Sequence, residues 1–151
     1  MSINDCNCFI QVPFTIYTLP IKCYSCRKTT NVLTYIKYGD NLSEDVLYPW
    51  DMKHLHTVQD VIFHMTHPDT EAYNIKILGT IKAYDDMLLK KYPQRIKNKY
   101  SKTLNKTYAM NLCEHCNSKQ GWFYVYREIE KYILAQKPID IAQSPDLLTL
   151  F

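Results

Sequence analysis

The sequence predicts an α+β fold in a single domain that spans residues 1–151. Three observations lead to this prediction. Several segments alternate apolar and polar residues with a period of two, which is typical of β-strands. The segment after Gly121 repeats apolar residues every three or four positions, which is typical of an α-helix. Two Cys-x-x-Cys pairs lie close to the strand segments. We therefore expect a small antiparallel sheet, held together at the cysteines, with a C-terminal helix.

The two cysteine pairs predict one metal site with four cysteine ligands. Four thiolates match the ligand number and softness that a closed tetrahedral Zn²⁺ site requires. In a reducing compartment, cysteines with this spacing are more typical of metal binding than of disulfides. A closed site leaves no position for a substrate, so we predict a structural Zn²⁺, with an iron–sulfur site as the alternative. The predicted ligands are Cys23, Cys26, Cys113 and Cys116.

The N-terminal part of the chain predicts two strands that flank the first cysteine pair. Segment 9–19 is rich in β-branched and aromatic residues, and Pro13 favours an edge strand or two short strands. Segment 31–38 alternates with a period of two, so the first pair lies in a turn between strands, as in a zinc knuckle. Upstream, Cys6 and Cys8 have no matching second pair, and whether they bind a metal stays open.

A long insertion separates the two parts of the predicted zinc core. The core covers about 14–38 and 106–136, and the insertion covers 39–105. Residues 51–67 place their apolar side chains on one helical face, and residues 81–91 also favour a helix, so we predict a mostly helical insertion.

The polar face of the predicted helix 51–67 carries a candidate second site. His56, Asp60 and His64 recur at every fourth position and therefore share one side of the helix. Such a set could bind a second metal or act as an acid/base pair. We favour a solvent-facing polar stripe, because no nearby cysteine or paired carboxylate completes a ligand set.

Charge is distributed unevenly along the insertion. Segment 40–86 holds nine acidic and three basic residues, whereas segment 90–106 holds seven basic residues and no acidic one. The basic residues could bind nucleic-acid phosphates or an acidic protein surface, and the interleaved Tyr92, Tyr100 and Tyr108 could stack on bases. The interpretation we favour from the sequence is a solvated linker that balances the acidic segment. The acidic segment points instead to a protein partner or to mimicry of nucleic-acid charge. The seven basic residues are Lys90, Lys91, Arg95, Lys97, Lys99, Lys102 and Lys106.

The C-terminal third predicts a strand, a helix and a tail. Segment 106–112 alternates and is expected to pair with the strands that flank the first cysteine pair. The helix is expected to begin at Ser118 or Trp122 and to end at Gln136. The tail beyond it has no clear period, although residues 147–151 are apolar enough to dock on the body of the protein or on a partner.

The order of these segments resembles a split zinc ribbon or a treble-clef finger over about 14–38 and 106–136. The whole chain also resembles an uncharacterised type of small bacterial or phage protein, in which a Cys-x-x-Cys pair is followed by a β-rich segment and later by a Met-Asn-x-Cys-x-x-Cys-x-x-x-Gln-Gly block, here 110–121. The first resemblance implies a zinc-stabilised core, and the second implies no particular activity.

A third resemblance is to the zinc-binding half of HNH endonucleases. Its basis is the pattern of Cys113, Cys116, Asn117 and Lys119. It implies a metal-dependent nuclease with a histidine shortly after the first cysteine pair. Segment 33–38 contains no histidine, and the first one is His54. A metal-dependent hydrolase needs that base, so a degenerate or divergent HNH-like nuclease is the alternative function and not the leading one.

The leading hypothesis is a non-enzymatic, zinc-stabilised module that binds a macromolecular partner, either protein or nucleic acid. The sequence shows no nucleophile and base pair and no glycine-rich phosphate loop. It opens without a secretory signal and has no apolar run of about 18 residues, so we expect a soluble, cytoplasmic protein without a membrane partner.

Overall fold

The structure is a computed structural model that describes residues 10–38, 41–45, 75–135, 137 and 139–150. The predicted helix 51–67, with His56, Asp60 and His64, lies outside the described residues, as do Cys6 and Cys8. The α+β class is confirmed. The elements, in chain order, are β1 (Ile10–Lys22), β2 (Thr29–Thr34), β3 (Ile36–Tyr38), β4 (Asn41–Asp45), β5 (Ile75–Ile77), α1 (Lys82–Lys91), β6 (Ile96–Ser101), β7 (Lys106–Leu112), β8 (Lys119–Gln120), α2 (Trp122–Leu134) and β9 (Asp140–Leu150).

The described strands form three antiparallel sheets of three strands each, in the orders β2-β1-β9, β4-β3-β5 and β6-β7-β8. The prediction that Pro13 places the first strand at an edge, or divides it in two, is wrong. β1 is one strand of 13 residues with a neighbour on each side. The register explains the exception, because β2 pairs only with Tyr17–Lys22 and β9 alone pairs at Pro13. The missing N–H of Pro13 can therefore face the side without a strand.

The C-terminal tail docks on the body of the protein as strand β9. Its pairing with β1 runs from Ile10 opposite Leu150 to Thr18 opposite Asp140. The register shifts between Phe14 and Tyr17, so the pairing is not a regular ladder. An irregular strand of this kind shows no clean alternation in its sequence, which is why the prediction gave the tail no secondary structure.

Two clusters of buried side chains form the core. The first joins α2 to β1 and β2, where Val125 and Ile129 pack with Leu19 and Val32. The second surrounds Tyr84 and Leu88 of α1. In it, the Tyr84 ring lies 5.2 Å from the Phe14 ring and 5.0 Å from the Tyr35 ring, centroid to centroid. Each helix therefore covers one part of the strand framework.

The insertion is less helical, where it is described, than the sequence suggested. Its described part contains the ten-residue helix α1 and the strands β4, β5 and β6. Within the basic segment, residues Ile96–Ser101 do not form a linker, because they form strand β6, which pairs with β7. α2 ends at Leu134 and not at Gln136. Among the described residues, no helix is long and apolar enough to cross a membrane.

A buried carboxylate joins α1 to the strands. Asp85 Oδ1 accepts hydrogen bonds from the Tyr35 hydroxyl at 2.7 Å and from the Gly79 N–H at 2.9 Å. Gly79 has φ of 103°, and a Cβ there would lie 2.9 Å from the Tyr108 ring, so only glycine fits this turn. Burial raises the pKa of Asp85 to about 6, since desolvation outweighs the hydrogen bonds from Gly79 and Tyr35.

This raised pKa predicts a pH dependence of stability. The pKa of Asp85 rises from 3.8 to about 6 on folding, so the folded state binds the proton more tightly than the unfolded state. The free energy of unfolding should therefore fall as pH rises through this window, by on the order of 2 kcal/mol. Asp85→Asn keeps an Oδ1 acceptor without the charge. The variant should therefore lose this pH-dependent fall in the free energy of unfolding and be more stable than the parent protein near pH 7.

Urea unfolding at a series of pH values from about 4 to about 7 measures the effect. The quantity to compare is the difference between Asp85→Asn and the parent, in which the pH dependence of metal binding cancels. Asp86→Asn is the control, because Asp86 is exposed and pairs with exposed Lys82. A difference that stays constant with pH would contradict the assigned pKa.

Candidate metal centre

The first cysteine pair lies in a tight turn between β1 and β2. The Cys23 N–H donates to the Lys28 carbonyl at 2.8 Å, and the Arg27 N–H donates to the Cys23 carbonyl at 3.2 Å. Inside the turn, the N–H groups of Ser25 and Cys26 point at Cys23 Sγ, at 3.2 and 3.3 Å. These N–H groups favour a thiolate at Cys23.

The second pair lies in a turn of the same design between β7 and β8. The Cys113 N–H donates to the Ser118 carbonyl at 2.9 Å, and the Asn117 N–H donates to the Cys113 carbonyl at 3.0 Å. The His115 N–H lies 3.3 Å from Cys113 Sγ. In both turns the residue after the second cysteine has a left-handed backbone, with φ of 67° at Arg27 and 66° at Asn117. The chain therefore builds two matching knuckles from unrelated sequences.

The two knuckles bring the four cysteines together. Their Sγ atoms all lie within 4.8 Å of one another. Cys23 Sγ is 3.6 Å from Cys116 Sγ, and Cys26 Sγ is 3.7 Å from Cys113 Sγ. Four sulfurs placed about 2.3 Å from a central Zn²⁺ in a regular tetrahedron are about 3.8 Å apart. The spacing of the thiols therefore fits a tetrahedral metal ion.

The pKa values of the thiols Cys23 and Cys26 shift in opposite directions. Burial of Cys23 opposes its ionisation, but the N–H groups of Cys26 and Ser25 outweigh that effect and lower its pKa to about 6. At Cys26, the Lys28 N–H favours the thiolate, yet burial and the neighbouring thiols Cys23 and Cys113 raise the pKa to about 11. Four thiolates this close repel one another, so a divalent cation is what would allow all of them to ionise.

A buried glutamine connects the two knuckles beside the sulfurs. Gln120 Nε2 donates to Cys23 Sγ at 3.3 Å and to the Ser118 carbonyl at 3.0 Å. Its Oε1 accepts from the Tyr24 N–H at 2.9 Å. Gln120 thus contacts a ligand of one knuckle and the backbone of both. It was not among the residues predicted from the sequence, although it stands in the same block as the second pair.

Side-chain hydrogen bonds, and not backbone pairing between strands, join the second knuckle and β7 to β2. The prediction that segment 106–112 pairs with the strands around the first pair is wrong, because β7 pairs with β6 and β8. Instead, the Asn111 side chain forms two hydrogen bonds with the backbone of Leu33. Its Oδ1 accepts from the Leu33 N–H at 2.8 Å, and its Nδ2 donates to the Leu33 carbonyl at 2.9 Å. Glu114 Oε1 accepts from the Asn31 N–H at 2.8 Å, and His115 Nε2 lies 2.8 Å from the Thr29 carbonyl.

One of the seven predicted basic residues belongs to this junction. Arg95 Nη1 lies 3.7 Å from Glu114 Oε2, and its Nη2 donates to the Asn31 carbonyl. The other six are exposed and lie at the end of α1, on β6, in the following turn and at the start of β7. The Nζ of Lys106, at that last position, lies 5.9 Å from the centre of the Tyr108 ring. Arg95 therefore has a structural contact, whereas the six lysines are exposed.

Comparisons with known proteins add no further assignment. No family model matches the chain, and neither the curated proteins nor the solved structures gave a match. The chemistry of the site therefore has to be argued from its own residues.

The metal content tests the four-cysteine site directly. Protein purified without added metal should contain about one zinc per chain, because four thiolates at this spacing fit Zn²⁺. Cys113→Ser should lose that zinc and become less stable by several kcal/mol, since a structural zinc contributes on the order of 10 kcal/mol in small fingers. Elemental analysis and urea unfolding measure the two effects.

The double variant Cys6→Ser/Cys8→Ser is the matched control and should keep its zinc. Iron with visible absorption would identify an iron–sulfur site instead. Metal-free protein with a cooperative unfolding transition would show that the four thiols bind no structural metal.

Gln120→Ala tests whether the residue that contacts both knuckles also supports the metal. The variant removes the donor to Cys23 Sγ and leaves the Tyr24 N–H without its acceptor. Loss of a hydrogen bond to a metal ligand typically lowers metal affinity about 10-fold to 100-fold. Competition with a chromogenic chelator measures the zinc affinity. Lys82→Ala, which removes an exposed ammonium that pairs with Asp86, should leave that affinity unchanged.

Proposed function

We propose that this chain is a non-enzymatic module that is stabilised by one Zn²⁺ on Cys23, Cys26, Cys113 and Cys116 and that binds nucleic acid. Four protein thiolates fill the tetrahedral shell of Zn²⁺, so the metal would have no open position for a substrate. Both cysteine pairs lie in turns between strands, and neither lies in a helix, which supports a zinc-ribbon arrangement over a treble clef. The Zn²⁺ would then stabilise the fold, and the surface that binds nucleic acid has to be sought elsewhere on the protein.

The observation that carries the proposal is the hairpin of β6 and β7 with its turn 102–105, called here the basic hairpin. Lys97 and Lys99 are two residues apart on β6, so they lie on the same face of the strand, and both are exposed. Lys106 lies opposite Ser101 in the register, so its side chain belongs to the same face. Within the described part of the chain, neither Lys97 nor Lys99 takes part in an ion pair. These ammonium groups are available to an external anion.

Nucleic acid suits this surface better than an acidic protein does. The segment from Lys90 to Lys106 contains no acidic residue, so the electrostatic potential that its side chains create is positive. Lysines on a regular strand repeat every two residues, about 7 Å apart, which matches a polyanion with evenly spaced charges. An acidic protein surface is the alternative partner, and the tests below distinguish it.

Charge reversal on β6 tests the proposal. Lys97→Glu/Lys99→Glu should weaken binding of a labelled oligonucleotide at least about tenfold near 0.1 M salt, because two phosphate contacts become repulsive. The slope of log K against log salt concentration should fall by about two. Fluorescence anisotropy at several salt concentrations gives both numbers. The glutamates keep charge on the edge strand, so the variant stays protected from strand pairing between copies.

The matched control reverses the same amount of charge on α2. Arg127→Glu/Lys131→Glu changes two exposed cations outside the basic hairpin and should leave affinity and salt slope close to the parent values. Absence of binding by the parent at low salt would reject nucleic acid as the partner and favour a protein. Probe that is cleaved when Mg²⁺ is added would support the HNH-like nuclease alternative, whereas we expect intact probe.

A further inference from the structure

We propose that the tip of the basic hairpin binds single-stranded nucleic acid, with the ring of Tyr100 as the surface on which a base stacks. This inference rests on the proposed nucleic-acid binding and adds to it the class of nucleic acid and the residue that selects it. Its basis is the exposure of Tyr100, the hydrogen bonds that fix the tip and the position of the surrounding lysines.

Tyr100 presents an aromatic ring to solvent in a restrained position. Its side chain is 48% exposed, although tyrosine rings usually bury most of their apolar surface. Its hydroxyl donates to Asn105 Oδ1 across the turn. Asn105 has φ of 55°, and the Leu104 N–H donates to Ser101 Oγ at 3.2 Å, so the turn is itself fixed. Because the ring is held at its hydroxyl end, stacking on it costs less conformational entropy.

Three lysines lie close to Tyr100 in sequence or contact its backbone. Lys99 precedes Tyr100, Lys102 follows two residues later, and Lys119 Nζ donates to the Tyr100 carbonyl. The alternation of the strand places Tyr100 on the opposite face from Lys97 and Lys99. Among the described strands β6 pairs with β7 alone, and its residues 97–100, which alternate between the two faces, are all exposed. A nucleotide at this edge can meet an ammonium with its phosphate and the ring with its base.

A stacking surface of this kind selects single strands. In a duplex, each base already stacks on its neighbours and offers no free face, whereas an unpaired base can lie against a tyrosine. Lysines contact phosphates without reading sequence, so sequence-independent binding is expected. Leu104, which is 43% exposed, adds an apolar residue to the turn that follows β6. The tip therefore combines the two elements that single strands require, cationic charge and an open aromatic face.

The experiment compares two probes on full-length, zinc-loaded protein. One is a fluorescein-labelled oligothymidylate of about 20 nucleotides, and the other is a labelled duplex of the same length. The parent should bind the single strand at least about tenfold more tightly than the duplex. Tyr100→Ala should weaken single-strand binding about tenfold and leave the salt slope unchanged, because it removes stacking and no charge.

Two further variants make the result specific to the ring. Tyr100→Phe keeps the aromatic face and should bind within about threefold of the parent, whereas Tyr100→Leu keeps apolar volume without the ring and should bind like Tyr100→Ala. Phe123→Ala is the matched control, because Phe123 is an aromatic residue on α2 that is 57% exposed. It should bind like the parent. Circular dichroism and zinc content confirm that each variant is folded.

The outcomes separate this inference from the proposed function. Salt-dependent binding in which the duplex competes equally, or in which Tyr100→Leu matches the parent, would overturn the stacking surface and leave nucleic-acid binding in place. Absence of binding to both probes would overturn both proposals.

Discussion

The structure depends on the junction of two knuckles that have 86 residues between them in sequence, from Cys26 to Cys113. The thiols meet only when β1, β2, β7 and β8 are in place, so a metal ion at this point would stabilise the folded chain and not the unfolded one. Long-range hydrogen bonds support this junction. The amide of Asn111 fixes β7 against Leu33, and Gln120 contacts both turns beside the sulfurs. These hydrogen bonds hold the two knuckles, and with them the four thiols, against each other.

The same junction determines where the basic hairpin stands. β7 carries Cys113 directly after its end, and β6 is paired to β7 over its whole length. Arg95, the residue before β6, contacts Glu114 of the second knuckle and the Asn31 carbonyl beside the first. The lysines of β6 are thus connected to the metal centre by one strand pair and one ion pair. A ribbon fixed at its base can present its tip to a polyanion without becoming mobile as a whole.

The sequence was informative wherever a short pattern determines a local structure. Cysteine spacing predicted the four clustered thiols, and the helical period predicted α2 to within a few residues. It was uninformative where long-range contacts decide. β9 lacks alternation because its register with β1 shifts, and its pairing follows from the fold of the rest. The roles of Asn111 and Gln120 depend on backbone groups about 80 to 100 residues away, which no local pattern encodes.

Lysines on an edge strand have a second use, because charge there prevents strand pairing between copies of a protein. That use alone does not explain the composition of the basic hairpin. Charge of either sign protects an edge, and alternating signs would also allow local ion pairs, yet every charged residue in the segment from Lys90 to Lys106 is basic. A uniform sign raises self-repulsion within the segment, at some cost in stability. An anionic partner that offsets this repulsion would give the uniform charge a physical reason, and the exposed ring of Tyr100 in the same hairpin supports the proposal that such a partner also carries bases.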